Sequence, residues 1–138
     1  MRKGDQTASI NEYGDVAVRA VDKIRSGTAR SPGAARDEAA REIFPGRVLR
    51  QKKGCPRGAF LGLCDEGLVL GVPAGSYTSS IDNKAYALRA VDLIRSVPEL
   101  AVQGRRALWN RVEAKARSHN SQMDVVLALH QNGLLKAR

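Results

Sequence analysis

Cys55 comes closest of all residues in this chain to a reactive nucleophile. Pro56 follows it, and because proline is favoured at the first position of a helix, the sequence predicts that a helix begins here. A thiol at this point would face the positive end of the helix dipole, with Lys52, Lys53 and Arg57 close by in the chain. Both influences favour the thiolate, so Cys55 is the candidate catalytic residue if the protein is an enzyme.

The sequence gives this thiol no partner base. The histidines, His119 and His130, both stand far along the chain from Cys55. Small buried cysteines are usually inert packing residues, and we assign that role to Cys64, which has apolar neighbours. A non-enzymatic protein is therefore favoured over the alternative, a small thiol- or anion-dependent enzyme centred on Cys55, and no cofactor is indicated.

The same segment also supports an interpretation without catalysis. Free backbone N–H groups at the start of a helix over 56–66, together with the cations beside it, would hold a phosphate or a carboxylate. An ordinary basic loop is the alternative. The glycines do not form a nucleotide-binding loop, because neither G-x-x-x-x-G-K-[ST] nor G-x-G-x-x-G occurs.

No set of residues has the spacing of a metal site. The two cysteines are separated by eight residues, which matches no common zinc pair, and neither histidine has a ligand-type residue four positions later. Asp65 and Glu66 are adjacent, so on a helix their side chains would point about 100° apart. We therefore predict no metal site.

Positive charge is concentrated in two segments of this 138-residue chain, whose formal net charge is +9. Residues 47–57 contain five basic residues and no acidic one, and residues 105–138 contain seven basic and two acidic residues. Such localised charge favours nucleic acid or an acidic protein surface as partner, although a solvated loop and helix face would give the same pattern. The predicted anion-binding residues are Lys52, Lys53, Arg57, Arg105, Arg106 and Arg111.

Two helices of nearly identical sequence would carry these segments. AVRAVDKIRS at 17–26 and ALRAVDLIRS at 87–96 share eight of ten residues, and their apolar positions recur at helical spacing. Ser9 and Glu12 predict a capping box for the first helix, and Gly27 predicts its end. A proline after each copy predicts the start of a second helix, so that the sequence indicates two helical hairpins. The second helices are predicted over 32–44 and 98–117.

The glycine-rich stretch between the hairpins allows two structures. Gly58 and Gly62, four residues apart, would give a helix one smooth face that another helix can approach closely, and Gly67 would end that helix. That neighbour could be a second copy of the chain, so a homo-oligomer packed through Gly58 and Gly62 is a further hypothesis. A strand–turn–strand is the alternative for 54–72, because the apolar run 68–70 fits either structure. The hydroxyl residues at 76–80 predict a turn that caps the next helix.

The run KGCPRGAFLGLCDEGLV at 53–69, followed later by NSQMDVVLAL at 120–129, resembles a family of small bacterial proteins of unknown function. The resemblance covers roughly residues 13–135. It implies a bacterial or phage cytosolic protein, and it supplies no activity.

These observations predict an all-α, compact single domain of five to seven helices. Residues 1–8 would be a tail, followed by a domain over 9–138 made of a hairpin (9–46), the central segment (47–80), a second hairpin (81–118) and a last helix (119–138). No apolar run approaches the roughly 20 residues of a membrane span, and no export signal is evident, so we expect a cytoplasmic protein with free thiols. The leading functional hypothesis is a small basic module that contacts an anionic partner through 47–57 and 105–117.

Overall fold

The computed structural model describes residues 11–112 and 121–136. Over these residues the chain forms eight helical segments, of which α3 and α6 are about one turn long. The predicted all-α class is confirmed, and an isolated antiparallel bridge pairs Val69 with Leu135. The helices are α1 (Glu12–Arg25), α2 (Pro32–Ile43), α3 (Val48–Gln51), α4 (Gly54–Asp65), α5 (Ile81–Ser96), α6 (Glu99–Gln103), α7 (Arg105–Val112) and α8 (Gln122–Gln131).

Helix α8 lies at the centre of the fold. Residues 121–129 are all buried, and the helix packs against α1, α4, α5 and α7. Asn11 Nδ2 donates to Ser121 Oγ at 3.0 Å, and Gln122 Nε2 donates to the side-chain oxygen of Asn83 at 3.1 Å. Helices α1, α5 and α8 therefore begin at the same end of the molecule, which we call the N-terminal end of the bundle.

The repeated sequences form α1 and α5, as predicted. Their shared small and apolar positions are buried in one core, except Ile24, which is partly buried against it. Helix α1 pairs with α2 in the first predicted hairpin, where Lys23 Nζ contacts Glu38 at 2.8 Å and Glu42 at 2.6 Å. Gly27, with a φ of +79°, follows the end of α1 in a conformation that favours glycine, as the sequence predicts.

The second hairpin and the first helix cap differ from their predictions. The helix predicted over 98–117 is two helices, because Gly104 adopts a φ of +102° between α6 and α7, and residues 113–117 lie outside the described part. Helix α1 is capped by Asn11, whose side-chain oxygen accepts the N–H groups of Tyr13 and Gly14 at 3.0 and 3.3 Å. Ser9, the predicted cap, is also outside the described residues.

The glycine-rich stretch is helical over Gly54–Asp65, so the strand alternative is wrong there. The rest of 54–72 is not helical, and its apolar run contributes Val69 to the isolated bridge with Leu135. A β-carbon placed on Gly58 would lie 2.8 Å from Ser80 Oγ, and one on Gly62 would lie 2.6 Å from Lys84 Cβ. The close approach predicted for these glycines is confirmed, but the neighbour is α5 of the same chain. The face proposed as an oligomer interface is therefore covered. None of the described helices combines the length and apolar character needed to span a membrane.

Candidate functional site

The basic segment 47–57 comprises α3 and the first turn of α4. Every residue from 47 to 50 is exposed, and α3 rests on α2. Two hydrogen bonds fix its end, since Gln51 Nε2 donates to the carbonyl of Phe44 at 2.8 Å and Arg36 Nη1 donates to the carbonyl of Gln51 at 2.6 Å. Arg50 thus lies in a short helix that is anchored to the core, and Arg47 and Lys52 flank that helix.

The first turn of α4 and the start of α5 enclose a groove of about 450 Å³, which we call the α4 groove. Helix α4 has no side-chain cap, so its first backbone N–H groups are left for solvent or a ligand. Lys53 Nζ lies 5.4 Å from the centroid of the Tyr13 ring, a cation–π contact that holds this cation at the groove. The lining residues are Lys53, Gly54, Cys55, Arg57, Gly58, Thr78, Ser79, Ser80 and Asn83.

Arg57 separates this groove from a second, smaller concavity. Its Nε and Nη2 donate to the two carboxylate oxygens of Asp37 at 2.9 and 3.2 Å, so its charge is partly neutralised and its position is fixed. On its other side is a cleft of about 220 Å³, which we call the α2–α3 cleft. The residues that line it are Asp37, Arg41, Gln51, Lys52 and Arg57.

Cys55 lines the α4 groove and is partly buried, whereas Cys64 is fully buried, and both are free thiols as predicted. Burial, with a smaller contribution from the charge of Asp65, raises the pKa of the Cys64 thiol well above its ordinary range. Among the described residues, no histidine lines the groove, and His130 is exposed near the end of α8, away from the N-terminal end; His119 is outside the described residues. Within the described part of the chain, the groove therefore places cations beside the Cys55 thiol but no imidazole.

The second basic segment begins with Arg105, the first residue of α7. Arg105 Nη1 lies 3.0 Å from Oδ1 of Asp124, whose side chain is 1% exposed. Arg105 thus compensates a buried carboxylate, which leaves less of its charge for a partner. Arg106 and Arg111 are exposed.

Arg105 and the α4 groove contact the first turn of α8 from different directions. Gln122 contacts Asn83 of the α4 groove, and Asp124 contacts Arg105. Two residues along a helix are rotated by about 200°, so these contacts leave the first turn of α8 in different directions. Arg105 and the α4 groove therefore both lie at the N-terminal end of the bundle, on different sides of the first turn of α8.

Several residues of this region were absent from the sequence-based prediction. Asp37 and Arg41 belong to α2, and no motif connects them with 47–57. The hydroxyls before α5 were predicted to cap it, but Ser80 makes no side-chain cap and instead accepts a hydrogen bond from Asn83 Nδ2 at 2.9 Å. No group of three or more metal-ligating side chains occurs within 11–112 and 121–136.

Comparison with known families assigns nearly the whole chain to a family. Residues 10–136 match a family described as a family of unknown function (DUF6979). Neither a curated protein nor a solved structure matches the chain. The sequence-based resemblance to a family of unknown function is therefore confirmed, and the comparisons supply no activity.

Proposed function

The chain belongs to the DUF6979 family of unknown function, and we propose that it is a small binding module whose segment 47–57 holds an anionic partner. One observation carries the proposal. The segment contains five basic residues and no acidic one, and it borders both the α4 groove and the α2–α3 cleft. Such a concentration of fixed positive charge attracts polyanions and orients them.

Nucleic acid is the partner that the chemistry of the α4 groove favours. Arginine and lysine side chains, hydroxyl groups and the N–H groups of a helix N-terminus are the donors that contact backbone phosphates. All three kinds meet at this groove, in Lys53 and Arg57, in the hydroxyls of 78–80, and in the uncapped first turn of α4. These donors recognise phosphate without reading base sequence, so we expect binding with little sequence preference.

The segment that begins at Arg105 would contribute less. Arg105 is engaged by Asp124 and lies on a different side of the first turn of α8 from the α4 groove. Arg106 and Arg111 remain exposed and are available to a long polymer that passes around the N-terminal end of the bundle.

A fluorescence-anisotropy titration with short single- and double-stranded DNA and RNA over a salt series tests the proposal. The variant R47Q/K52Q removes two exposed cations from the segment, and R30Q/R89Q removes two exposed cations elsewhere. For duplex DNA the first variant should lower the slope of log K against log salt by about 1.8, because each phosphate contact contributes about 0.9. The control variant should keep the parent slope. Absence of binding at low salt, or an equal loss in both variants, would refute the proposal.

An acidic protein surface is the second candidate, and the exposed apolar residues of α3 favour it. Leu49 is 88% exposed and Val48 is 52% exposed, and both lie among the cations of the segment. The phosphate backbone of a nucleic acid makes no apolar contact with these side chains, whereas a protein partner could bury them. A synthetic peptide with glutamates around a central leucine should bind the parent and not V48S/L49S, while duplex DNA should bind both equally if the partner is nucleic acid.

A further inference from the structure

We infer that the α2–α3 cleft is a binding site for a single phosphate group. This inference extends beyond the proposed function, because one phosphate can occupy the cleft without any polymer. It stands on the charges that line the cleft and on a buried arginine behind its wall.

The lining of the cleft holds more positive than negative charge. Three cations, Arg41, Lys52 and Arg57, face one carboxylate, Asp37. Arg57 already occupies both oxygens of that carboxylate. Arg41 and Lys52 are exposed, and neither forms an ion pair with any other residue that the structure describes. Their charges are therefore available to a ligand that carries its own negative charge.

Arg36 adds a fourth cation directly behind the wall of the cleft. Only 1% of this residue is exposed, and its Nη1 donates to the carbonyl of Gln51 and lies 4.0 Å from Asp37 Oδ1. Both of these neighbours line the cleft. Its Nη2 is buried and has no hydrogen-bond partner within the described part of the chain. Burial of a charged guanidinium with an unpaired N–H donor lowers the stability of the fold. An anion bound in the cleft would offset part of this loss.

Arg36 keeps its charge under ordinary conditions. Burial is the largest influence on it and lowers its pKa to about 10, and the nearby Arg57 acts in the same direction, whereas Asp37 opposes them. At neutral pH the guanidinium is protonated, so the region around the cleft combines four cations with one carboxylate.

A phosphate group fits this arrangement better than other common anions. Its tetrahedral oxygens accept hydrogen bonds from several directions, and guanidinium groups bind it with paired donors while an ammonium supplies a point charge. The cleft of about 220 Å³ is smaller than the roughly 300 Å³ at which sites for drug-sized molecules begin. We therefore assign to it the phosphate group alone, whether free or carried on a larger molecule.

The test follows the Arg57 Nε–H resonance of ¹⁵N-labelled full-length protein during titration with inorganic phosphate at constant ionic strength. The parent should show a saturable shift. R41Q/K52Q, which changes two exposed residues and should fold as the parent does, should raise the dissociation constant about tenfold or more through the loss of two charge-assisted contacts. R30Q/R89Q should bind as the parent does. No saturable shift in the parent, or the same dissociation constant in all three proteins, would overturn the inference.

Two further ligands identify the source of the phosphate. If methyl phosphate binds and dimethyl phosphate does not, the site takes a free or terminal phosphate; if both bind, it takes the phosphodiester of a nucleic acid. If methyl phosphate, dimethyl phosphate and inorganic phosphate all fail to bind, the inference is overturned even when the protein binds DNA. A saturable phosphate shift without any DNA binding would instead refute only the proposed function.

Discussion

A β-carbon on Gly62 would lie 2.7 Å from the α-carbon of Lys84, so α4 and α5 meet here with no room for any side chain on the glycine. One turn earlier, a β-carbon on Gly58 would lie 2.8 Å from Ser80 Oγ. This contact of α4 with the start of α5 brings the hydroxyls of 78–80 beside the first turn of α4. The close packing at the two glycines thus positions the residues that line the α4 groove.

Replacement of Gly62 by alanine should destabilise the protein by about 2 kcal/mol or more, because the backbone of Lys84 cannot move aside as a flexible side chain can. Gly54→Ala is the matched control, since a β-carbon there meets nothing within 4 Å and alanine restricts the unfolded chain. Urea unfolding of the two variants measures the difference. Equal stabilities would show that α5 is free to shift away from α4.

Lys84→Gln should also destabilise the fold, by about 2 kcal/mol, because it removes the ammonium that contacts a buried carboxylate. Lys84 Nζ lies 3.3 Å from Oδ2 of Asp65, whose side chain is 6% exposed, and 3.0 Å from Glu66 Oε2. Lys52→Gln, at an exposed position, is the control and should leave stability nearly unchanged.

The effect of Lys84 should depend on pH. The hydrogen bond to Glu66, followed by that to Asp65, raises the pKa of Lys84 above its ordinary value of 10.5. Its contribution is therefore fully present below pH 10.5 and is lost as the pH rises through the higher pKa of the folded protein. Chemical unfolding should show that the difference in free energy of unfolding between parent and variant is smaller above pH 10.5 than at neutral pH. If this difference does not change with pH, the substitution acts through packing alone.

Iodoacetamide should modify Cys55 and leave Cys64 intact in the folded protein. Cys64 is buried and its raised pKa keeps the thiol neutral, whereas Cys55 is partly exposed at the α4 groove. Mass spectrometry should show one carbamidomethyl label on the parent protein and none on Cys55→Ser. The rate at Cys55 then tests the thiol-enzyme hypothesis. Alkylation at neutral pH no faster than that of a model thiol would leave that hypothesis without its nucleophile.

Asp37→Asn should strengthen binding of duplex DNA, because it frees Arg57 from its carboxylate partner. The slope of log K against log salt should steepen by about 0.9 if the released guanidinium gains one phosphate contact. Asp22→Asn, on the exposed face of α1, changes the net charge by the same amount and should have a much smaller effect. Equal effects of the two variants would indicate a response to total charge without a role for Arg57.

Local patterns in the sequence determined most of the helices. Apolar spacing located the two repeated copies in α1 and α5, and glycines with positive φ end α1 and α4 where the sequence predicted, at Gly27 and Gly67. These features depend on residues within one or two turns of each other. The charge of 47–57 and the close approach at Gly58 and Gly62 were predictable for the same reason.

Tertiary structure alone decided how the charges and faces are used. The helix that covers Gly62 comes from the same chain, Arg105 is drawn to the buried Asp124, and Arg57 is joined to Asp37 of α2. Arg36, unremarkable in sequence, becomes a buried cation behind a cleft. The three contacts join residues about twenty positions apart in the chain, and the fourth case is the burial of a charge. All four depend on how the helices pack. Periodicity describes the faces of one helix, whereas the electrostatics of a site depend on which faces meet.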